Sequence, residues 1–509
     1  MNTPIIPAAQ AETPLVLAID IGSSSVRVIL YDGRGRAIDG VTAQERYEIR
    51  TTANGAAEDD PDATLERAAR CVDAALRQAG PLAAQIGAVA LDTLVTTTLA
   101  VDAAGQPLTP LLTYADTRNT ADAAELRRSL DERAVHDRTG CLLRPSYWPA
   151  RLAWFRRTQP NVWRMAARWI TLGEYLELRF FGRSRVSFSA ASWSGLLNRR
   201  QLIWDMPLLN LLGLVPEQLS PLADADEPLG GLAQPYATRW PALRHIPWFP
   251  AIGDGAAANI GSGCTSHSRI ALTLGTTGAL RVIQADVPVA PPGLWCYRVD
   301  RQHTLLGGAT SEGGNVYAWL RQTLRLGDPV EVEAALAACP PDGHGLTVLP
   351  FLAGERSPDW AGNVQATFHG LTLATPPLAI LQASLEAVAY RFAVIEQRIC
   401  GHTDCAHRLI ASGSALLRSP AWMQIFADVL GRPVVVSTAP EATSRGAAVL
   451  ALVALGTLPA IEAAQVADGP VYEPDGARHA FYQAAIARQR WLYDRLIGRN
   501  DEQLVSTVT

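Results

Sequence analysis

Apolar residues at the start of the chain come in short runs, separated by glycine and hydroxyl residues. LVLAID (15–20) has the pattern of a buried strand, GSSS that of a tight polar turn, and VRVILYD that of a second strand. Gly33-Arg34-Gly35 marks another turn and AIDGVTAQ a third strand, so the chain opens with a β-meander. Over 62–79 the period changes. Leu65, Ala68, Ala69, Val72 and Leu76 form a helical stripe that Asp-Pro-Asp begins. IGAVALD (86–92) then returns to a continuous apolar run, a further buried strand. Meander, helix and strand together predict an α/β fold.

The same pattern recurs. AIDIGSSSVRVIL (18–30) is echoed by ALTLGTTGALRVI (271–283), with Gly275 standing 253 residues after Gly22, close to half of the 509-residue length. Strands around 271–309 and a helix over 313–326 repeat the opening order. This predicts a duplicated chain: a leader over 1–14, one domain over 15–262, a second over 263–500 and a tail over 501–509, with the boundary near Gly261–His267. The stretch 140–250 holds eight tryptophans (148, 154, 163, 169, 193, 204, 240 and 248), read as core residues, some of which are suited to lining a sugar site. EATSRGAAVLALVALG (441–456) reads as a capped helix with small residues on one face, built for close helix packing.

Composition narrows the chemistry. Hydrophobic residues are 48% of the chain and charged residues 18%, which excludes a disordered polyelectrolyte. The net charge of −5 without a basic run argues against a nucleic-acid partner. All 44 basic residues are arginine, so a Walker-A lysine, a pyridoxal Schiff base and a lysine nucleophile are excluded. Seven scattered cysteines, no signal-peptide pattern and no run of about 20 apolar residues lead to the expectation of a cytoplasmic protein without a membrane partner. Cys400, His402, Cys405 and His407 crowd into eight residues, too close together for the usual paired-ligand zinc loop.

Two turns carry candidate chemistry. Gly22 with Ser23, Ser24 and Ser25 offers closely spaced donors that suit phosphate oxygens, Asp20 ends the strand before it where a Mg²⁺ ion would sit, and Arg27 adds a cation. Such a turn alone is more often structural. Gly275-Thr276-Thr277-Gly278 has the same composition, and two such turns from two halves suit gripping one polyphosphate across a cleft. Asp254, between glycines at the start of AAANIG, is either a general base beside a helix N-terminus or a plain N-cap. Gly413 and Ser414 would let an adenine ring lie against the backbone.

DIGSSSVR, YADTR, GDGAAANIGSG, LTLGTTGALR, GGATSEGGNVYAWL, LPFLAGERSP and ASGSALLRSPAWMQIFADVLG, in this order, resemble the FGGY family of carbohydrate kinases over about 15–500. The resemblance implies two ribonuclease-H-like (actin-like) domains with ATP and a sugar in the cleft between them, and Mg²⁺-assisted transfer of the γ-phosphate to a terminal hydroxyl. By position it makes Asp254 the catalytic base and metal neighbour, and Asp20 a second metal residue. It places Ser23, Ser24 and Arg27 at the first phosphate turn and Gly275, Thr276 and Thr277 at the second. Gly314, Gly413, Ser414 and Arg418 would follow along the nucleotide. The family's Trp-x-Asp-x-Arg is Tyr114-Ala-Asp116-Thr-Arg118 here, which makes Asp116 and Arg118 substrate residues.

Val95-Thr96 stands where xylulokinase-like and gluconate-kinase-like members carry Met-His, which places Thr96 at the acceptor and leaves the substrate open among sugars, polyols and sugar acids. Gly413-Ser414 replaces the usual Gly-Gly. A sugar acid would need a cleft arginine, with Arg118, Arg144 and Arg151 as candidates. Family habit implies a homodimer. The competing reading is a non-catalytic or degenerate actin-like ATP-binding sensor, which would have no use for Asp254 and the Asp116/Arg118 pair.

Overall fold

The computed structural model describes residues 5–401 and 406–498. The opening meander is present as β1 (Leu15–Ile21), β2 (Ser25–Tyr31) and β3 (Ala37–Arg46), each antiparallel to the next. Helix α1 (Pro61–Ala79) follows. Asp60 caps it by accepting from the amides of Asp62 and Ala63 at 2.9 and 3.2 Å, and Pro61 occupies the first turn, where a missing N–H does no harm. Strand β4 (Ile86–Thr93) runs parallel to β1, and the two-residue strand β5 (Ile252–Gly253) runs parallel to β4. The sheet order is Ile5–Ile6, β3, β2, β1, β4, β5. Ile5 and Ile6 pair with Ala37 and Ile38, so the leader expected to precede the fold supplies the edge of its first sheet.

After helix α2 (Asp254–Gly261) the pattern repeats. Strands β6 (Arg269–Leu274), β7 (Gly278–Gln284), β8 (Trp295–Arg298) and β9 (Thr304–Thr310) form a second antiparallel set, with β9 between β7 and β8, followed by helices α3 (Gly314–Thr323) and α4 (Pro377–Cys400). Strands β10 (Arg408–Ser412) and β11 (Val434–Ser437) then continue parallel to β6. Helix α5 (Ala442–Ala454) and β12 (Asp468–Tyr472) complete the sheet, whose order is β8, β9, β7, β6, β10, β11, β12. Within each sheet, three antiparallel strands adjoin two parallel ones in the same sequence. This is the duplicated α/β architecture that the echo predicted, with the actin-like lobes that the family resemblance implied. Among the described residues α4 alone is long and apolar enough to cross a membrane, and it is largely buried in the second lobe.

The lobes meet through α2 and α5, which pack on each other and share one apolar cluster with both sheets (Ala18 and Ala90 from the first, Ile283 and Leu305 from the second). Small residues make this approach possible, as the sequence suggested. The expected cap on α5 is absent. Glu441 lies in the left-handed region (φ 48°) without a capping bond, and its carboxylate reaches Arg27 in the other lobe at 2.6 Å. All eight tryptophans of the middle stretch pack into or against apolar cores, and Trp193 also lines the cleft.

Candidate active site

A cleft of about 1630 Å³ runs between the lobes, and Ser23, Thr96, Asp116, Asp254 and Thr277 all line it. The two phosphate-type turns therefore open on one space. At the first turn the Gly22 amide donates to the Ser25 carbonyl at 3.0 Å, which closes the hairpin and leaves Ser23 and Ser24 exposed. Asp20 and Arg27 are cross-strand partners, with Arg27 Nη1 3.6 Å from the Asp20 carboxylate. The second turn is closed by the Gly275 amide on Thr277 O at 3.0 Å. Gly314, at the start of α3, donates to Gly275 O at 2.7 Å, and a Cβ on Gly314 would lie 2.7 Å from that of Ala415. Gly413 has φ 91° and packs against the Leu274 backbone, a position closed to other residues. The turn at 275–277, the start of α3 and the turn at 413–415 thus converge. Arg418 is exposed at the end of the short helix Ser414–Leu417.

Asp254 is the first residue of α2 and does not cap it; Gly253 holds the cap position. Its carboxylate accepts from the Gly255 amide at 2.7 Å. Burial of the carboxyl group raises its pKa to about 6, against the pull of the Gly255 N–H and Arg281 and with the Asp20 charge adding to the rise. Arg281 is held by Asn259 Oδ1 at 3.1 Å and Thr273 Oγ1 at 2.9 Å.

Sequence reading passed over Asp92, which β4 places in register beside Asp20. It is fully buried, neither oxygen accepts from an N–H or O–H donor among the described residues, and burial followed by the Asp20 charge pushes its pKa well up. Asp20 is raised too, by burial, with hydrogen bonding to Asp92 and the Arg27 charge opposing. The only advance signal was a carboxylate inside an apolar strand.

On the acceptor side, Asp116 is buried, with Arg118 Nη2 on it at 2.6 Å and the Ala57 amide at 3.1 Å. Arg118 is engaged by Asp116 and by Glu58 at 3.1 Å and is not among the residues that line the cleft. Arg151 does not face the cleft either. It is buried and donates to the carbonyls of Thr96 and Thr113, with burial lowering its pKa to about 10. The Arg151 contact holds Thr96 at φ 56°, a strained conformation for a β-branched residue, and Thr96 Oγ1 has no partner among the described residues. Of the three arginines, Arg144 lines the cleft. Of the Cys400–His407 cluster, His402 and Cys405 lie outside the described residues.

Residues 15–261 match the N-terminal domain of the FGGY family of carbohydrate kinases, and 270–455 match its C-terminal domain. The chain is 27% identical to a gluconokinase of Bacillus subtilis over 472 residues, covering 90% of this chain and 91% of that protein. It is 31% identical to a glycerol kinase of Dechloromonas aromatica over 461 residues, covering 87% and 89%. Among solved structures, the gluconate kinase of Lactobacillus acidophilus superposes with a TM-score of 0.88 at 24% identity, over 96% of this chain and 99% of that one. With both domains matched in order on a cleft built from both halves, the chain belongs to the FGGY family of carbohydrate kinases and is an ATP-dependent carbohydrate kinase.

Proposed function

We propose that the protein transfers the γ-phosphoryl group of ATP to a terminal hydroxyl of a sugar, polyol or sugar acid, with Asp254 as general base. Residues 15–262 form the acceptor lobe in this reading and the chain from 263 onwards the nucleotide lobe. The supporting observation is that Asp254, free of capping duty, shares one cleft with Ser23 of the first turn and Thr277 of the second. Asp254 takes the proton of the acceptor hydroxyl as that oxygen bonds to the γ-phosphorus, and the bond to the ADP oxygen breaks. Positioning and electrostatics supply most of the rate in such transfers. Ser23, Ser24 and Arg27 would hold the phosphates from one side, and Gly275, Thr276 and Thr277 from the other.

Three carboxylates lie close enough here to shift one another's pKa, and neither oxygen of Asp92 accepts from a donor among the described residues. That donor set fits a hard divalent cation, with Asp20 and Asp254 as the residues that would hold Mg²⁺. Bound there, the ion would neutralise charge on the transferred phosphate.

A coupled ADP-release assay over pentuloses, polyols and aldonates tests the proposal. Turnover stimulated by at least one class is expected, and none by any class would overturn it. A narrower prediction concerns Thr96. Glycine accepts φ 56° without strain, so Thr96→Gly stabilises the protein by about 1 kcal/mol. The same change removes the unpartnered hydroxyl and raises the acceptor KM; an unchanged acceptor KM removes Thr96 from the acceptor site.

A further inference from the structure

We infer that Glu396, Cys400 and His407 bind a Zn²⁺ ion in the second lobe, at the end of β10 opposite Gly413. One carboxylate oxygen, the Sγ atom and one imidazole nitrogen of these three side chains lie within 4.8 Å of one another. Ligand atoms on one tetrahedral Zn²⁺ stand about 3.3–3.6 Å apart, as bonds of ~2.0–2.3 Å require. The three side chains therefore have to draw in by little more than about 1 Å. The run from Cys400 to His407 lacks the usual paired-ligand loop, and Glu396 supplies a ligand from outside it. The site needs neither His402 nor Cys405.

Fixed elements present the three groups. Glu396 and Cys400 stand four residues apart on the last turn of α4, which puts them on one face of the helix. His407 immediately precedes β10, and the amide of the next residue, Arg408, donates to Ser268 O at 2.9 Å. Glu396 and His407 are buried, at 8% and 6% exposure, and Cys400 is half-buried. His407 Nε2 already lies 2.8 Å from Glu396 Oε1. Arg432 Nε donates to the same oxygen at 3.2 Å. A carboxylate offers about four acceptor positions on two oxygens, so Glu396 keeps Arg432 while it binds an ion. Such a partner fixes the orientation of a ligating carboxylate.

The donor set selects the metal. Thiolate, imidazole and carboxylate together suit Zn²⁺ or Co²⁺, whereas Mg²⁺ takes oxygen ligands of the kind the cleft carboxylates offer. Cys400 binds as the thiolate and gives its proton to solvent, and a water completes the tetrahedron. A second group with comparable spacing, Asp342, His344 and Glu386, is otherwise committed. Arg488 holds Asp342 at 2.5 and 2.7 Å, and Glu386 accepts from Gln382 at 2.8 Å, Tyr390 at 2.9 Å and Tyr482 at 3.1 Å. An ion there would have to displace several of these donors. At Glu396 it instead ties the end of α4 to the start of β10, the strand that leads to Gly413.

The test titrates the full-length protein, first freed of metal by dialysis against a chelator, with Zn²⁺ and with Co²⁺. Wild type is expected to take up one equivalent of Zn²⁺ and to gain in thermal midpoint. Its Co²⁺ form should show the near-ultraviolet charge-transfer band of a thiolate ligand. Cys400→Ser should abolish that band and weaken Zn²⁺ binding at least ~10²-fold, while Cys405→Ser keeps both. Glu396→Gln, which preserves the size of the side chain, should weaken Zn²⁺ binding at least ~10-fold and decides the matter if Cys400→Ser folds poorly. Wild type that binds no Zn²⁺ would overturn the inference. So would an affinity that neither variant changes, which places the ion on the cleft carboxylates, or a Co²⁺ band lost in Cys405→Ser and kept in Cys400→Ser. No nucleotide or acceptor enters these measurements, so their outcome is separate from that of the kinase reading.

Discussion

Asp254→Asn is expected to lower kcat by at least ~10²-fold, about 2.7 kcal/mol of transition-state stabilisation, while ATP binding stays near wild type. The amide keeps the size of the side chain, and its oxygen still accepts the Gly255 N–H that fixes Asp254 at 2.7 Å. It cannot take up a proton, and the acceptor oxygen must then attack while still protonated. The pH profile supplies an independent readout. Because burial lifts the Asp254 pKa to about 6, the acidic form predominates below that pH and cannot act as a base. The kcat/KM of wild type should therefore fall about tenfold per unit below pH 6 and level off above it. A divalent cation beside Asp254 favours its ionised form, so raising Mg²⁺ moves this limb to lower pH. Steady-state rates between pH 5 and 8, with nucleotide affinity from equilibrium dialysis, check both statements; unchanged turnover in the variant removes Asp254 from the mechanism.

Asp254 could be read from sequence because its signal is local, a carboxylate at the junction of an apolar strand and an alanine-rich helix. The two hairpin turns were readable for the same reason, since strand–turn–strand alternation is a short-range pattern, and repeating it 253 residues later gave the two-lobe fold. Asp92 depended instead on register. Only the parallel pairing of β1 with β4 sets it beside Asp20. Arg118 and Arg151 are candidates for a substrate carboxylate in sequence, where an arginine near a motif carries no mark of the group that will claim it. Glu58 claims the first across a short sheet, and two backbone carbonyls claim the second inside the core. Glu441 likewise reads as a helix start in sequence, yet it reaches Arg27, 414 residues away, in preference to capping. The Trp193–Tyr297 stack joins side chains from separate lobes, which no local period encodes. Strand register and long-range side-chain contacts, within each half and between them, are the part that sequence does not supply.

At the junction of the halves, Gly446→Ala is expected to be strongly damaging. A Cβ at Gly446 would lie 1.8 Å from Ala257 O and 2.6 Å from the carbon that bears it. The reciprocal position is as tight, since a Cβ at Gly261 would lie 1.7 Å from Ala442 O. In both cases the obstacle is helix backbone, which cannot turn aside as a side chain does. Helices α2 and α5 would have to part by more than an ångström. That opens the apolar cluster that both sheets share and draws Arg445 away from Gly261 O, to which it donates at 2.6 Å, and from Gly35 O at 2.9 Å. Overpacking of this kind costs about 3 kcal/mol or more, and the lost buried hydrogen bonds add to it. The thermal midpoint is expected to fall by at least about 6 °C. Gly476→Ala, at the start of the last helix with nothing within 4 Å of its Cβ, should stay within about 1 °C and serves as the control. Because α2 also carries Asp254, turnover should fall in Gly446→Ala even at temperatures where the protein remains folded. A variant as stable and as active as wild type would mean that the lobes do not meet through this helix pair, and that the base is positioned by something other than the junction between them.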